Sequence, residues 1–350
     1  MNHSLNSVFI ALLFLMFSGL NAQVPGWDLA RNGGNTESDK GMSIHRHSPS
    51  IIYAGGHFSG SITFGQLNIP GSGGEDGLMI RFNSIGEAAW VNRIAGPGNE
   101  RVLAVTSDAA GNYYATGYFE STAGISGVFF ESNGNKDLFI AKYSQGGVLS
   151  WVRNLGSVGD DMGTGVTCDA LGNVYLTATY SDSLTFVTKT LDTLTYASAG
   201  GKDIILFKFD QQGKIISHAR GGGSGDDISA DILLHPAGLA FTGTFSGKAG
   251  FRNDTLTSNG ASDILLANYS LNTFEPIWIS NMGGAGIDAG DDLSTDNAGN
   301  LYLAGMTTGN FNVGQIALTS QGGTDGFLAK VSPAGVVEWA RLIGAQGDDN

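Results

Sequence analysis

The chain of 350 residues has one cysteine and few basic residues. Cys168 has no second cysteine to pair with inside the chain, so we interpret it as a buried, inert thiol rather than a nucleophile. Lysine and arginine number 18 against 32 acidic residues, which gives a formal net charge of −14. Because phosphate contacts need a basic surface, this balance argues against nucleic acid as a partner.

Long apolar runs and helical periodicity are also missing from most of the chain. The one apolar core, residues 8–17, is too short to span a bilayer and lies within a stretch that has the pattern of a secretory signal. We therefore predict a signal peptide at residues 1–22 and a secreted or cell-surface mature chain without a transmembrane segment. No later segment has a 3.6-residue apolar period, so almost no helix is expected.

What is present is a repeat of about sixty residues. Equivalent positions carry Trp27, Trp90, Trp151, His218, Trp278 and Trp339, at spacings of 63, 61, 67, 60 and 61 by subtraction. His218 is interpreted as the residue that replaces tryptophan in its copy. A fixed period with glycine-rich joints is typical of stacked or radial repeat architectures.

Each copy contains four short β-rich segments joined by tight turns. In the third copy these are residues 165–169, 174–180, 204–209 and 215–220, with turn signals between them. The pattern predicts an all-β protein, a β-propeller of four-stranded antiparallel blades of about sixty residues, with five recognisable blades and the start of a sixth. A parallel β-helix is the competing fold, but its coils have roughly twenty to thirty residues.

The repeat domain is predicted to cover residues 23–350. Residues 27–31 have a last-strand sequence without preceding strands, and we expect them to complete a blade at the other end of the chain. The alternative is a leader to the first blade. Gly347-Asp348-Asp349-Asn350 matches the words that introduce earlier blades, so we expect the domain to be truncated at its C-terminus.

The repeated words resemble the SBBP repeat, a bacterial family whose name abbreviates seven-bladed β-propeller. The matching text is Asp108-Ala109-Ala110-Gly111-Asn112, then residues 134–143 and 147–151, and it returns at residues 296–300, 322–330 and 339. The resemblance covers about residues 27–350. It implies a secreted or surface-exposed propeller of unassigned activity, often part of a larger surface protein, and it supplies no catalytic motif.

Acidic loops suggest a divalent cation site. The candidate metal ligands are Asp160, Asp161, Asp226, Asp227, Asp291 and Asp292. Ca²⁺ takes six to eight oxygen ligands, which several converging loops could supply. No loop has the D-x-[DN]-x-[DN]-G pattern, however, and each Asp could instead cap a turn. Calcium is therefore a possible ligand, and no other cofactor is expected.

Two further sets of residues have both a functional and a structural interpretation. His45 and His47 would share one face of a strand, where they could bind Zn²⁺ or Cu²⁺, but no third ligand is apparent. The recurring tryptophans could line a sugar-binding face, and packing between blades is the simpler account. The glycine clusters are interpreted as turns because none opens a helix, as a phosphate loop requires.

No catalytic residue can be assigned from these patterns. We therefore predict a non-enzymatic binding or scaffold module with a protein or glycan ligand. The alternative is a glycan-active or other hydrolytic propeller with a site at the mouth of the central channel. One polar cluster that breaks the repeat symmetry would favour the alternative.

Overall fold

The computed structural model describes residues 37–349. In that range the chain consists of β-strands, turns and bends and contains no helix, which confirms the predicted all-β class. Within the same range, no helix is long and apolar enough to cross a membrane. The predicted signal peptide and the predicted closing strand at residues 27–31 lie outside the described residues.

The strands fall into five consecutive groups, here called repeats 1 to 5. Repeat 1 (residues 39–95) contains β1 (Asp39–Ser48), β2 (Ile51–Phe64), β3 (Leu67–Phe82) and β4 (Ala88–Ala95). Repeat 2 (residues 100–155) contains β5 (Glu100–Ser107), β6 (Tyr113–Ile125), β7 (Val128–Tyr143) and β8 (Leu149–Leu155). Repeat 3 (residues 162–223) contains β9 (Met162–Cys168), β10 (Val174–Val187), β11 (Thr193–Phe209) and β12 (Ile215–Gly223).

Repeats 4 and 5 have two additional short strands each. Repeat 4 (residues 228–284) contains β13 (Ile228–His235), β14 (Gly238–Phe245), β15 (Lys248–Phe251), β16 (Asp254–Thr257), β17 (Asp263–Tyr269) and β18 (Pro276–Gly284). Repeat 5 (residues 288–343) contains β19 (Asp288–Thr295), β20 (Leu301–Thr307), β21 (Phe311–Val313), β22 (Ile316–Leu318), β23 (Asp325–Val331) and β24 (Val337–Ile343).

Within each repeat the main strands pair in sequence order and antiparallel. In repeat 3, for example, β10 pairs with β9 and β11, and β11 also pairs with β12. The middle strands are rich in branched aliphatic and aromatic residues where a strand pairs with them on each side, as in the buried run Ile204–Phe207. A further hairpin, here called the hairpin excursion, lies between the second and third main strands of each repeat. In repeats 1 to 3 it is formed by extensions of these two strands, and in repeats 4 and 5 it is formed by the separate short strands.

The hairpin excursions also connect neighbouring repeats. Ile94 at the end of β4 pairs with Ile125 of repeat 2, and Gly221 of β12 pairs with Phe251 of β15. Gly284 of β18 pairs in the same way with β21 of repeat 5. At these three junctions the last strand of one repeat is therefore held at its end by the excursion of the next, which shortens its exposed edge; β8 pairs with no strand of repeat 3.

Each first strand carries a β-bulge at an equivalent position. The additional residues are Met42, Leu103, Thr164, Ala230 and Asp291. A bulge bends its strand and re-aims the side chains beside it. In repeat 1 the first strand continues to Ser48, directly before the turn at residues 49–50.

Most of the hydrophobic core lies between repeats, and one smaller cluster around Phe58 and Leu78 lies within repeat 1. One cluster joins Tyr53 and Met79 of repeat 1 to Tyr113 and Phe139 of repeat 2. Equivalent clusters join repeats 2 and 3, repeats 3 and 4, and repeats 4 and 5. A four-stranded sheet of this size buries its two faces only against its neighbours, so the stability of the array depends on the junctions.

Candidate functional site

Two acidic side chains recur at the repeat junctions, and we call them the junction acids. One lies in the third strand of a repeat, directly before the residues that pair with the fourth strand: Asp76, Asp137, Asp203, Asp263 and Asp325. The other lies at the start of the next repeat or, after repeat 5, at the equivalent place: Glu100, Asp161, Asp227, Asp288 and Asp349. All of them are buried except Asp349.

Most junction acids close a short loop. The carboxylate of Asp137 accepts a hydrogen bond from the backbone N–H of Asn133, four residues earlier, at 3.0 Å. Asp161 accepts in the same way from the N–H of Ser157, at 2.5 Å. Glu100 is the weakest case, because neither of its carboxylate oxygens has a hydrogen-bond partner of normal geometry, although the N–H of Gly96, four residues earlier, acts on it. The acids therefore organise the loops, and Glu100 is buried with the least compensation.

Burial raises the pKa values of most of these acids, whereas hydrogen bonds from the Ser320 hydroxyl and the Gln321 N–H lower the pKa of Asp325. The pKa of Asp161 is raised to about 6 and that of Asp227 to about 7, in both cases mainly by desolvation. The pKa of Glu100 rises to about 8, from burial first and from the charge of Asp76 second. A carboxyl group with few partners in a low-dielectric site favours its neutral form.

The predicted metal ligands occupy three separate parts of the fold. Asp161 and Asp227 are junction acids, and their neighbours Asp160 and Asp226 lie in the same loops. Asp291 and Asp292 are exposed on β19. Among residues 37–349, no three His, Cys, Asp or Glu side chains are placed together to hold a metal ion. Calcium binding stays a prediction.

One acidic pair does break the repeat symmetry, at the first strands of repeats 4 and 5. Asp231 and Asp292 each follow the bulge of their strand, where repeats 1 to 3 have Ser43, Ala104 and Gly165. Burial and the neighbouring Asp292 carboxyl, to which it is hydrogen-bonded, raise the pKa of Asp231. Asp231 also accepts a hydrogen bond from the N–H of Leu293, at 3.1 Å. The sequence analysis missed Asp231.

The other titratable candidates have structural surroundings. His47 Nδ1 lies 3.0 Å from Ser107 Oγ, and the pKa of His45 is lowered by burial and by His47. Cys168 ends β9 partly buried, and burial raises the pKa of its thiol to about 12. A thiol with this pKa is not a nucleophile near neutral pH.

The recurring tryptophans pack across the junctions. Trp151 donates a hydrogen bond from Nε1 to the carbonyl of Gln211 in the next repeat, at 3.0 Å. Its ring covers Gly213, where an added Cβ would lie 2.8 Å from the ring. Gly213 has φ of +72°, a conformation that glycine adopts without strain. Trp90 with Gly147 and Trp278 with Gly335 repeat this arrangement.

The junction of repeats 3 and 4 is different, and it corrects the assignment of His218. Lys208 pairs with Ser217, whereas the equivalent Lys142 pairs with Trp151. Ser217 therefore occupies the tryptophan position. His218 is the next residue and points to the opposite face of the strand, where its Nε2 is hydrogen-bonded to the hydroxyl of Tyr196 at 2.7 Å.

The aromatic ring at this junction comes from the turn of the next repeat. Phe274 occupies the glycine position, with φ of +57°, in a turn that is one residue longer. Its ring stacks on Tyr175 of repeat 3 at 6.3 Å and 29°, whereas the equivalent Tyr114 of repeat 2 contacts Trp151. The large and small residues have exchanged places: serine is on the strand and phenylalanine on the turn.

A cleft of about 660 Å³ opens along the outer edge of β12 at this junction. Repeat 3 contributes Tyr196, His218 and Arg220 to its lining, and repeat 4 contributes Arg252 and Glu275. The guanidinium carbon of Arg220 lies 4.6 Å from the centre of the Tyr196 ring. Arg252 and Glu275 form an ion pair at 2.6 Å. The absence of glycine in residues 270–275 was the sequence signal for this change.

Comparison with known proteins gives a distant sequence relative. An uncharacterized WD repeat-containing protein of Acanthamoeba polyphaga mimivirus is 23% identical over 204 residues, which covers 49% of this chain and 14% of that protein. The chain thus spans about 14% of the length of the curated relative that it matches. No family model matches the chain.

Several solved structures are similar in part. A protein of unknown function from Bacteroides caccae is 12% identical, with 78% of this chain and 91% of that chain covered and a TM-score of 0.32. The Dos1 propeller is 10% identical, with 92% and 87% covered and a TM-score of 0.34. A quinohemoprotein alcohol dehydrogenase from Comamonas testosteroni is 12% identical, with 91% and 70% covered and a TM-score of 0.36.

Proposed function

We propose that the chain is a secreted or cell-surface β-propeller repeat protein that acts as a non-enzymatic binding or scaffold module. Its five repeats would be four-stranded blades of the SBBP type. The observation that carries this proposal is the same antiparallel strand order in every repeat, with the hydrophobic core between repeats. Radial stacking is the arrangement that such antiparallel units adopt most simply.

Binding is favoured over catalysis because the cleft beside β12 brings charged side chains together in one concave surface. The core positions between repeats remain apolar, whereas this cleft is lined by Asp203, Arg220, Arg252 and Glu275. A groove of about 910 Å³ at the equivalent edge of β8 has only Arg153 as a charged lining residue. Ligand sites are usually concave, with a few polar groups placed among apolar ones. A rigid array that varies one surface cleft suits recognition of a protein or glycan.

Binding of the full mature chain to cell-envelope material tests this proposal. Labelled protein is titrated against purified peptidoglycan, surface polysaccharide and outer-surface protein extract, and the bound fraction is measured. We expect saturable binding to one of these fractions, without turnover of it. Linear, non-saturating adsorption to all three would contradict a binding module. The mass of the secreted chain tests the predicted cleavage after Ala22.

A hydrolytic function is the second candidate, and the Asp231–Asp292 pair favours it. A carboxyl whose pKa is raised beside a second carboxylate can act as a general acid. Glycosidases place their two carboxyl groups about 5 Å or more apart, however, and these two are within hydrogen-bonding reach of each other. The pair therefore fits a shared proton better than a glycosidic site.

Activity measurements on Asp231→Asn decide this second candidate. The wild-type protein and the variant are compared on a panel of chromogenic glycosides and esters, with Ser43→Ala as the variant at the equivalent place in repeat 1. A hydrolase would lose at least a hundredfold in kcat in Asp231→Asn alone. No activity in the wild type, or equal activity in all three proteins, leaves the binding module as the better account.

A further inference from the structure

We propose that the cleft beside β12 binds a neutral saccharide, one or two sugar rings in size. This inference rests on the proposed binding function and names the ligand class and the site. The volume of about 660 Å³ is within the range of small-molecule sites, roughly 300–1,000 Å³. It is also the cleft at the one junction where the tryptophan of the preceding strand is replaced by serine.

Arg220 is available to a ligand. It is exposed, its guanidinium lies over the ring of Tyr196 and interacts with the Tyr180 hydroxyl, and among residues 37–349 no carboxylate lies within ion-pair distance of it. Arg93 occupies the equivalent place in repeat 1, but it donates to the carbonyl of Pro70 and lies 3.9 Å from Asp76. A guanidinium held in one orientation by stacking presents several N–H donors with little entropy cost.

An acceptor that lacks a donor lies beside Arg220. Asp203 lines the cleft, is 4% exposed, and has one carboxylate oxygen, Oδ1, without a hydrogen-bond partner, as its equivalents Asp76, Asp137 and Asp325 also have; Asp203 alone of the four has Arg220 and an open cleft beside it. The charge of Arg220 acts on this carboxyl, which shows that the two groups are near each other. Leaving such an oxygen unpartnered costs free energy, about 1–3 kcal/mol for a buried polar group.

This combination of groups favours a hydroxyl-bearing ligand. A hydroxyl both accepts and donates, so one hydroxyl can accept from Arg220 while it or its neighbour donates to Asp203. Arg252 and Glu275 offer a second donor and acceptor across the cleft. The cleft contains two cations and two carboxyls, so its formal charge is balanced, and an anionic ligand gains no net attraction there.

Tyr196 gives the cleft a partly apolar surface. It is half-buried, and its hydroxyl is fixed by His218. Phe274 and Tyr269 lie beneath the cleft, at 5% and 2% exposed, and support its floor without offering a ring face. A sugar ring has apolar C–H faces and a polar edge, which match aromatic rings beside planar polar side chains. A peptide anchor would need a deeper apolar pocket than this one.

Titration calorimetry on the full mature chain tests the proposal. The probes are N-acetylglucosamine, methyl α-mannoside, methyl β-galactoside and cellobiose, with galacturonate as the acidic comparison and a blocked acidic tetrapeptide as the peptide comparison. We expect at least one neutral sugar to bind with a millimolar or lower Kd. In Arg220→Ala the affinity should fall at least tenfold, and Arg93→Ala should bind as the wild type does.

Thermal melting of each variant verifies that it is folded, and Glu275→Gln provides a second test within the cleft that leaves Tyr196 and Arg220 in place. The inference is overturned if no neutral sugar binds, if only galacturonate or the peptide binds, or if Arg93→Ala weakens binding as much as Arg220→Ala. If the chain still binds envelope material saturably and Arg220→Ala does not alter it, the proposed function stands and the sugar site alone fails.

Discussion

The junction of repeats 2 and 3 and that of repeats 3 and 4 solve one packing problem in opposite ways. In the first, Trp151 on the strand covers Gly213 on the turn. In the second, Ser217 on the strand leaves room for Phe274 from the turn. An aromatic ring contacts the tyrosine of the preceding repeat in both cases. What is retained between repeats is the volume of the junction, not the residue that fills it.

The two solutions have different consequences at the surface. Trp151 fixes the next turn through a hydrogen bond to Gln211, and it lines a groove of about 910 Å³ beside β8. Phe274 fills the interior from the turn side, so the outer edge of β12 is lined by small and polar residues such as Ser217 and Arg220. Exchanging the large and small positions thus preserves the core and changes the lining of the outer groove from aromatic to polar.

The largest expected effect is that of removing the ring of Phe274. Phe274→Ala should lower the free energy of unfolding by about 3–4 kcal/mol, because a buried ring is lost and a cavity remains. His218→Ala should cost about 1 kcal/mol or less, since His218 is only half-buried on the other face. Urea unfolding monitored by tryptophan fluorescence measures both.

The matched variant at the other junction is Trp151→Ala, which should cost about as much as Phe274→Ala if the two rings are equivalent. A loss near 1 kcal/mol for Phe274→Ala, with a large loss for His218→Ala, would show that His218 and not Phe274 is the equivalent of tryptophan. The assignment from strand register would then be wrong.

A smaller loss of stability is expected when the glycine under the Trp151 ring is replaced by alanine. Gly213→Ala should destabilise by about 2–3 kcal/mol, because it adds a left-handed backbone penalty of about 1 kcal/mol and a contact with the ring of Trp151. Gly127 has a similar φ of +86° and open space around it. Gly127→Ala therefore isolates the backbone term, at about 1 kcal/mol.

Thermal unfolding of the two alanine variants measures the difference. If both lose the same stability, the ring contact at Gly213 adds nothing and the junction is less tightly packed than the distances indicate. If Gly213→Ala alone is strongly destabilised, the Trp–Gly arrangement is a specific packing unit, and its absence between repeats 3 and 4 requires the replacement by Phe274.

The repeat and its strands could be predicted from the sequence because they depend on local patterns. Glycine and asparagine mark turns, β-branched and aromatic runs mark strands, and both recur at a fixed period. Asp169 illustrates this: it precedes Gly172 and Asn173 in a predicted turn, and its carboxylate accepts from the N–H of Asn173 at 2.9 Å. Such contacts join residues that are near in sequence.

The site was not predictable in the same way. His218 was assigned to the tryptophan position because it is the aromatic-like residue nearest to the expected spacing, yet strand register places Ser217 there. A shift of one residue reverses the face of a strand, and spacing alone does not detect it. Asp231 and Arg220 gain their roles from neighbours in other strands or in the next repeat. The local sequence pattern of one repeat does not show which residues those neighbours are.

A pH dependence should distinguish the junction of repeats 1 and 2 from that of repeats 4 and 5. Burial and the charge of Asp76 raise the pKa of Glu100 from 4.5 to about 8, and the N–H of Gly96 offsets only part of this rise. The folded state therefore holds a proton that the unfolded state releases, so stability should fall as pH rises between 4.5 and about 8. Glu100→Gln should remove part of that fall and be more stable than the wild type at pH 8.

Asp288 provides the opposite case at the other junction. Its carboxylate accepts from the N–H of Gly284 and from the hydroxyl of Thr307, so Asp288→Asn should be destabilised at every pH because an acceptor is lost. Melting temperatures of the three proteins from pH 5 to pH 9 test this. Parallel curves for wild type and Glu100→Gln would show that Glu100 is charged in the folded protein and has a partner. A Glu100→Gln curve that crosses the wild-type curve as pH rises, beside an Asp288→Asn curve that stays below it, would show that the junction acids differ in their hydrogen-bond partners. The junctions would then differ in their acids as well as in the aromatic residues that fill them.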